Sequence, residues 1–347
     1  VSLRIGIGAS PHSPAGVAFV RDAERLGVDS VWASEAWGYD ALTPLAYLAG
    51  QTTRVRLGSA IAQLGARTPA MLAMSALSLQ RLSGGRFVLG LGTSGPQVME
   101  GWHGVPFARP LQRTAETIEI VRLLVAGERS AHDGEIFHLP LPGGAGRAIR
   151  TSAPPEAVPI YVASLGPGNL ALTGRLADGW IGTSFLPESA EAFFGPIAEG
   201  ARSAGRRIED LDLTVPAAVE FTDDVEEAAR RHARGYAFTL GAMGSERQNF
   251  YNDAFGRQGF ADDVAAVARL WRDGDREGAA ARVPIELGLR TNLLGPAGAV
   301  RERLRLYRDV GVTTLRVQPA GAAPTERLDT LGTLLDLVAE VNSESDA

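Results

Sequence analysis

The sequence predicts a (β/α)8 barrel, on three observations. Short β-like runs alternate eight times with longer helical stretches along the 347 residues. Gly27 and Gly311 stand where a helix stops before a strand, the usual place for a C-capping glycine. The one glycine-rich turn that could mark an open dinucleotide-binding sheet, Gly90-x-Gly92-x-x-Gly95, fails its context. Such a turn needs a helix opening at its third glycine and an acid roughly 20 residues on, at the end of the next strand. Here Pro96 follows Gly95, and Gly101, Gly104, Pro106 and Pro110 interrupt any helix. The acid at the right distance, Glu116, falls inside a predicted helix. The stretch is better explained as a long βα loop at the C-terminal mouth of a barrel.

The first unit is a strand over 3–8 and a helix over 15–26. The second is 28–33 followed by 43–51, with Pro44 suited to a first helical turn. A strand at 55–61 precedes a long helix at 69–82. The fourth strand, 86–91, leads through the glycine-rich loop to a helix at 111–126, whose apolar face carries Ile118, Val121, Leu124 and Val125. The later strands are 159–163, 180–183, 213–221 and 314–318. Two interruptions decorate the pattern without forming separate domains. Residues 127–158 hold a small hairpin, signalled by Asp133-Gly134, and residues 241–295 are helical. The chain, 1–347, is expected to be one barrel domain.

Composition removes several functions. Cysteine is absent, so there is no disulfide, thiolate metal site or Cys nucleophile, and a reducing cytoplasm fits. Every one of the 34 basic residues is arginine, which excludes Schiff-base chemistry and leaves arginine, backbone amides or hydroxyls for any anion site. The net charge of −6, with no long basic run, argues against nucleic acid. No apolar run reaches the roughly 20 residues of a membrane helix, and VSLRIGIGAS lacks a signal-peptide pattern. No membrane partner is expected, and the five histidines show no metal-site spacing.

Candidate site residues gather at the predicted strand ends. Glu35 closes the second strand, and Asp40 can cap the helix after it. His103 and Glu100 lie on the glycine-rich loop with Trp102. Thr93, Ser94, Gly95 and Gln97 on that loop are placed to bond a ring or substrate oxygen, and His12 follows the first strand. Ser164-Leu165-Gly166-Pro167-Gly168 ends the fifth strand and opens a helix. Its glycines and free N-terminal amides suit a phosphate.

The stretches LGLGTSGPQVMEGWHGVPF, SEAWGYDALTPLAYLA, LGSAIAQLGARTPAMLAMSALSL and ASLGPGNLALTGRLADGWIG resemble the bacterial-luciferase-like flavin/deazaflavin barrel superfamily. The nearest branch is that of coenzyme F420-dependent oxidoreductases related to methylenetetrahydromethanopterin reductase. The resemblance implies hydride transfer between bound F420 and a small organic substrate, in a homodimer. An FMN-dependent two-component monooxygenase is the alternative, and a non-catalytic flavin-binding barrel a further one. It implies that Ser59, Ala60, Ile61 and Gln63 lie against the cofactor ring, with Ala60–Ile61 in the cis form, and that the Ser164–Gly168 turn holds its phosphate. Relatives with a proton-donating Asp-His pair after the second strand have Glu35-Ala36 as the match here. Glu35, desolvated among Trp32 and Trp37, is then expected to be the acid, with His103 second. His12, Gln97 and Trp102 are expected at the substrate, and Arg247, in the helical insertion, near the cofactor's anionic tail.

Overall fold

A computed structural model describes residues 2–8, 11–243 and 249–344. Eight parallel strands run β1 (Arg4–Gly8), β2 (Ser30–Ala33), β3 (Arg56–Ser59), β4 (Phe87–Gly92), β5 (Ile160–Ala163), β6 (Gly179–Ile181), β7 (Asp212–Glu220) and β8 (Thr314–Pro319). Each pairs with the next, and β8 pairs back onto β1 in the register Arg4↔Thr314, so the sheet closes. The helices outside are α1 (Pro14–Leu26), α2 (Leu42–Ala49), α3 (Pro69–Ser83), α4 (Pro110–Val125), α5 (Pro167–Leu176) and α6 (Glu191–Ser203). After β7 come α7 (Val225–Ala242), α8 (Ala261–Arg272) and α9 (Ala297–Asp309), and α10 (Pro324–Ser343) ends the fold. Gly27 ends α1 at φ 108°, its N–H returning to the carbonyls of Ala23 and Glu24, and Gly311 follows α9 at φ 101°.

Strand side chains alternate between two cores. Ile5, Ile7, Val31, Leu57, Leu89 and Leu315 point outward into the apolar layer beneath the helices. The opposite face fills the lumen. Trp32 lies there, 1% exposed, because its neighbours in the sheet are glycines. A Cβ at Gly58 would fall 2.3 Å from the indole, and one at Gly6 would fall 3.0 Å from its Nε1. Below it, odd-numbered strands contribute one polar layer: Arg4, Arg56, Tyr161 and Asp212. Arg56 bonds Asp212 at 2.8 Å and Asp29 at 2.6 Å, and the Tyr161 hydroxyl and Arg4 also donate to Asp212. This layer plugs the N-terminal end, so chemistry is left to the opposite mouth.

The hairpin forms as expected, with His132 paired to Leu139. Glu116, in α4, accepts the amides of Glu135, Ile136 and Phe137 and so ties the hairpin to the barrel. Burial would raise its pKa, but those amides and the Gln112 side chain hold it down at about 2.

The helical insertion begins earlier than the expected residue 241. Helix α7, from Val225, already belongs to it: Ala233, Ala237 and Leu240 pack with Phe255, Val264 and Val267 in a separate apolar cluster. Periodicity shows that α7 has an apolar face, but not which core that face meets.

Candidate active site at the barrel mouth

The glycines of the β4 turn are required by packing. A Cβ at Gly90 would sit 1.9 Å from the Ser59 carbonyl oxygen, and one at Gly92 would sit 2.8 Å from Ile61. Between β3 and the short strand Ala62–Gln63 the chain passes through Ala60–Ile61, whose peptide is cis, and presses against β4. Ser59 is fully buried, donating to the Gly90 carbonyl and accepting from its amide, both at 2.9 Å. Its hydroxyl is thus committed to the sheet and is not available to a cofactor. Ala60 and Ile61 pack with Trp32, Tyr161 and Ile181 and present a half-buried apolar face.

Glu35 and His103 are brought together through Gln63. The Gln63 side-chain amide donates to the carbonyls of Glu35 (3.2 Å) and Ala36 (2.9 Å). Its Oε1 therefore faces His103 Nε2, at 2.6 Å. An amide oxygen only accepts, so Nε2 carries a hydrogen and Nδ1 is the nitrogen that can gain or lose a proton.

The expectation that Glu35 is kept protonated among tryptophans is not met. Arg67 donates to both carboxylate oxygens (2.9 and 2.8 Å), and the amides of Gln63 and Ala41 add 3.0 and 3.1 Å bonds. Burial alone would raise its pKa, but Arg67 and these amides outweigh it and hold the group below the usual carboxylate range. Trp37, expected to help desolvate it, is 55% exposed. Glu35 is a charged clamp that positions Gln63. Asp40 caps α2, accepting from the amides of Leu42 and Thr43.

The rest of the loop supports the mouth. Ser94 takes a left-handed φ of 57°, Thr93 donates to its carbonyl, and Gly95 opens the short helix Pro96–Met99 beside the exposed Gln97. Glu100 accepts the Phe107 amide and closes its own loop. Trp102 is largely exposed, and His12, also exposed, stacks on Tyr39 at 4.0 Å.

The turn after β5 fits an anionic group. Helix α5 opens at Pro167 with Gly166 as N-cap and no side chain capping its amides. A Cβ at Gly166 would meet only Phe250, at 4.0 Å, so the backbone is open to close approach. Ser164 does not face that opening; it is buried, bonding Thr173 at 2.8 Å and receiving Trp180 Nε1 on its carbonyl. The arginine brought here from the insertion is Arg257, which donates to the Leu165 carbonyl and stands over the Phe193 ring. Arg247 lies outside the described residues. The sequence reading missed Arg257 and Arg67. Arg257 lies ten positions after Arg247 in the same insertion, and Arg67 follows Gln63 within QLGAR.

A closed parallel barrel with a polar triad and an open amide turn at its C-terminal mouth defines a cofactor-binding barrel enzyme. The chain belongs to the luciferase-like monooxygenase family, whose profile matches residues 3–314, and within it to the F420-dependent oxidoreductase branch related to methylenetetrahydromethanopterin reductase. It is 39% identical over 94% of its length, and 96% of the relative's, to a Mycobacterium tuberculosis protein carrying the name coenzyme F420-dependent oxidoreductase. It is 33% identical to 5,10-methylenetetrahydromethanopterin reductase of Methanolobus tindarius, over 60% of this chain and 62% of that one. Its fold is similar to that of F420-dependent tetrahydromethanopterin reductase from Methanopyrus kandleri, with a TM-score of 0.78, 21% identity, and 96% and 98% of the two chains covered.

Proposed function

We propose that His103 moves the proton that accompanies hydride transfer at this mouth, and that Gln63 and Glu35 hold it in place. The protein is a coenzyme F420-dependent oxidoreductase acting on a small organic substrate. When bound, the deazaflavin supplies the carbon that carries the hydride. Ala60 and Ile61 offer its ring an apolar wall, and the Gly166–Gly168 turn with Arg257 offers its phosphate amides and a cation. Thr93, Ser94, Gly95 and Gln97 edge the same mouth, with Leu165 and Pro167 shaping the turn. His12 and Trp102 are placed to meet substrate from the exposed rim. His103 Nδ1 exchanges a proton with the substrate heteroatom next to the carbon that gains or loses hydride. The observation that carries this role is the Gln63 bond, which fixes the imidazole tautomer and aim.

The homodimer belongs to the same reading. Met71, Met74 and Leu82 form an exposed apolar stripe along α3, with Tyr47 exposed on neighbouring α2, and light scattering should give twice the chain mass.

The test mixes protein and reduced F420 anaerobically with carbonyl, imine and activated-alkene compounds and follows reappearance of the oxidised deazaflavin. Substrate-dependent oxidation is expected. No oxidation of reduced F420 by any of them, with substrate consumed only by reduced FMN and oxygen, overturns the reading in favour of a monooxygenase.

A further inference from the structure

Three arginines enter the barrel lumen from the strands, and they are treated differently. Arg4 and Arg56 at the base each meet Asp212. Arg316, on the inward face of β8 beside Gly6 and Pro216, meets no carboxylate among the described residues. Its one bond is from Nη2 to the Gly182 carbonyl at 3.3 Å, and its Nε is buried without a partner. Burial pushes the guanidinium pKa down to about 10, with no opposing carboxylate to restore it.

The side chain borders a cavity of about 990 Å³ between β1, β7, β8 and α7. Gln318, Arg327, Asn292, Tyr236 and His232 share its wall, and among the described residues no Asp or Glu does. Several of these are already satisfied. Asn292 bonds the Ala218 amide and the Gly288 carbonyl, Tyr236 bonds Thr291, and His232 reaches Glu220. Arg327 lies 5.0 Å over the Phe19 ring, and its Nε has no partner. Arg316 is half-buried, with its Nε buried and unpartnered, and it borders the cavity with charge that no counter-ion among the described residues offsets. Its planar fork suits two oxygens of a carboxylate or phosphate.

We propose that the substrate of this enzyme is an anion, and that its carboxylate or phosphate docks on Arg316, with Arg327 adding charge at the cavity edge. The inference rests on the oxidoreductase reading of the mouth. It assigns Arg316 to substrate because the amide turn and Arg257 already provide for the cofactor's phosphate after β5, three strands round the ring.

The test titrates the protein with inorganic phosphate and, separately, with succinate, by calorimetry, and titrates F420 in parallel. Saturable binding of at least one anion is expected, and which one binds distinguishes phosphate from carboxylate substrates. Arg316→Met should weaken that binding at least about tenfold, Arg316→Lys less, and Arg257→Met should leave it in place. Arg316→Met should also keep the fold, since it breaks no ion pair among the described residues, and should keep F420 affinity. The proposal is overturned if neither anion binds saturably, if Arg316→Met binds the anion unchanged, or if Arg316→Met loses F420 affinity instead. Failure of the parent protein to bind F420 refutes the oxidoreductase reading separately.

Discussion

At the scale of single residues, the site turns on which group holds a proton. Glu35 is an ion-paired carboxylate, so a substitution there acts through position. His103→Ala should lower turnover at least about tenfold, within the range of general acid–base help, while F420 affinity stays within about twofold. Glu35→Gln should give a smaller loss, because Gln63 is also held by the Glu35 and Ala36 carbonyls. It should also shift the pH profile of turnover, since the carboxylate charge behind Gln63 is removed. A dead Glu35→Gln enzyme beside a fully active His103→Ala would reverse the roles. The sign of the stability effect follows from the lowered Glu35 pKa. The clamp stabilises the fold above the ordinary value of 4.5, and that contribution is lost as pH falls through the folded value. Glu35 was legible as a mouth residue from its strand-end position, and His103 from its place on the glycine-rich loop. Their connection was not, because Gln63 and Arg67 approach from a different βα unit, and sequence spacing says nothing of that distance.

At the scale of elements, the β3–β4 pair explains the glycine pattern that first suggested a nucleotide turn. Gly90 and Gly92 make room for the Ser59–Ile61 segment, a demand set by the neighbouring strand and invisible within β4 itself. Gly90→Ala should cost about 1–3 kcal/mol in urea denaturation, by forcing β3 and β4 apart. An equally large loss for Gly95→Ala, whose added Cβ would touch only Gln97 at 3.5 Å, would contradict this account of the turn. The strand–helix order was readable because alternation and C-capping glycines are local signals. The true start of the insertion was not, since α7 carries the same amphipathic pattern as a barrel helix and differs only in what it packs against.

At the scale of the whole molecule, the barrel has a base that holds and a mouth that reacts. The base layer balances charge: burial would raise the Asp212 pKa, but Tyr161, Arg4 and Arg56 together hold it below the ordinary 3.8. Its stabilisation is therefore complete above that value and lost as pH falls below it. Asp212→Asn leaves Arg4 without a carboxylate and Arg56 with Asp29 alone, and should cost about 3 kcal/mol at neutral pH, with the gap from the parent closing in acid. A gap independent of pH would mean that packing, not charge, sets the loss. The mouth shows the opposite arrangement, with Arg316 facing the cavity and no acid among the described residues lining it. That contrast depends on what other strands place opposite, which no single segment of sequence reveals.

F420 is the cofactor of this mouth, and the proposed seat of its phosphate is the glycine turn after β5. The most direct measurement is an equilibrium titration of the purified protein with F420 and with FMN, repeated on Gly166→Trp. F420 should bind in the micromolar range or tighter, FMN at least about tenfold more weakly, and Gly166→Trp should weaken F420 binding at least about tenfold (1.4 kcal/mol). Tight FMN binding with no detectable F420 binding, or F420 affinity untouched by Gly166→Trp, would contradict this assignment.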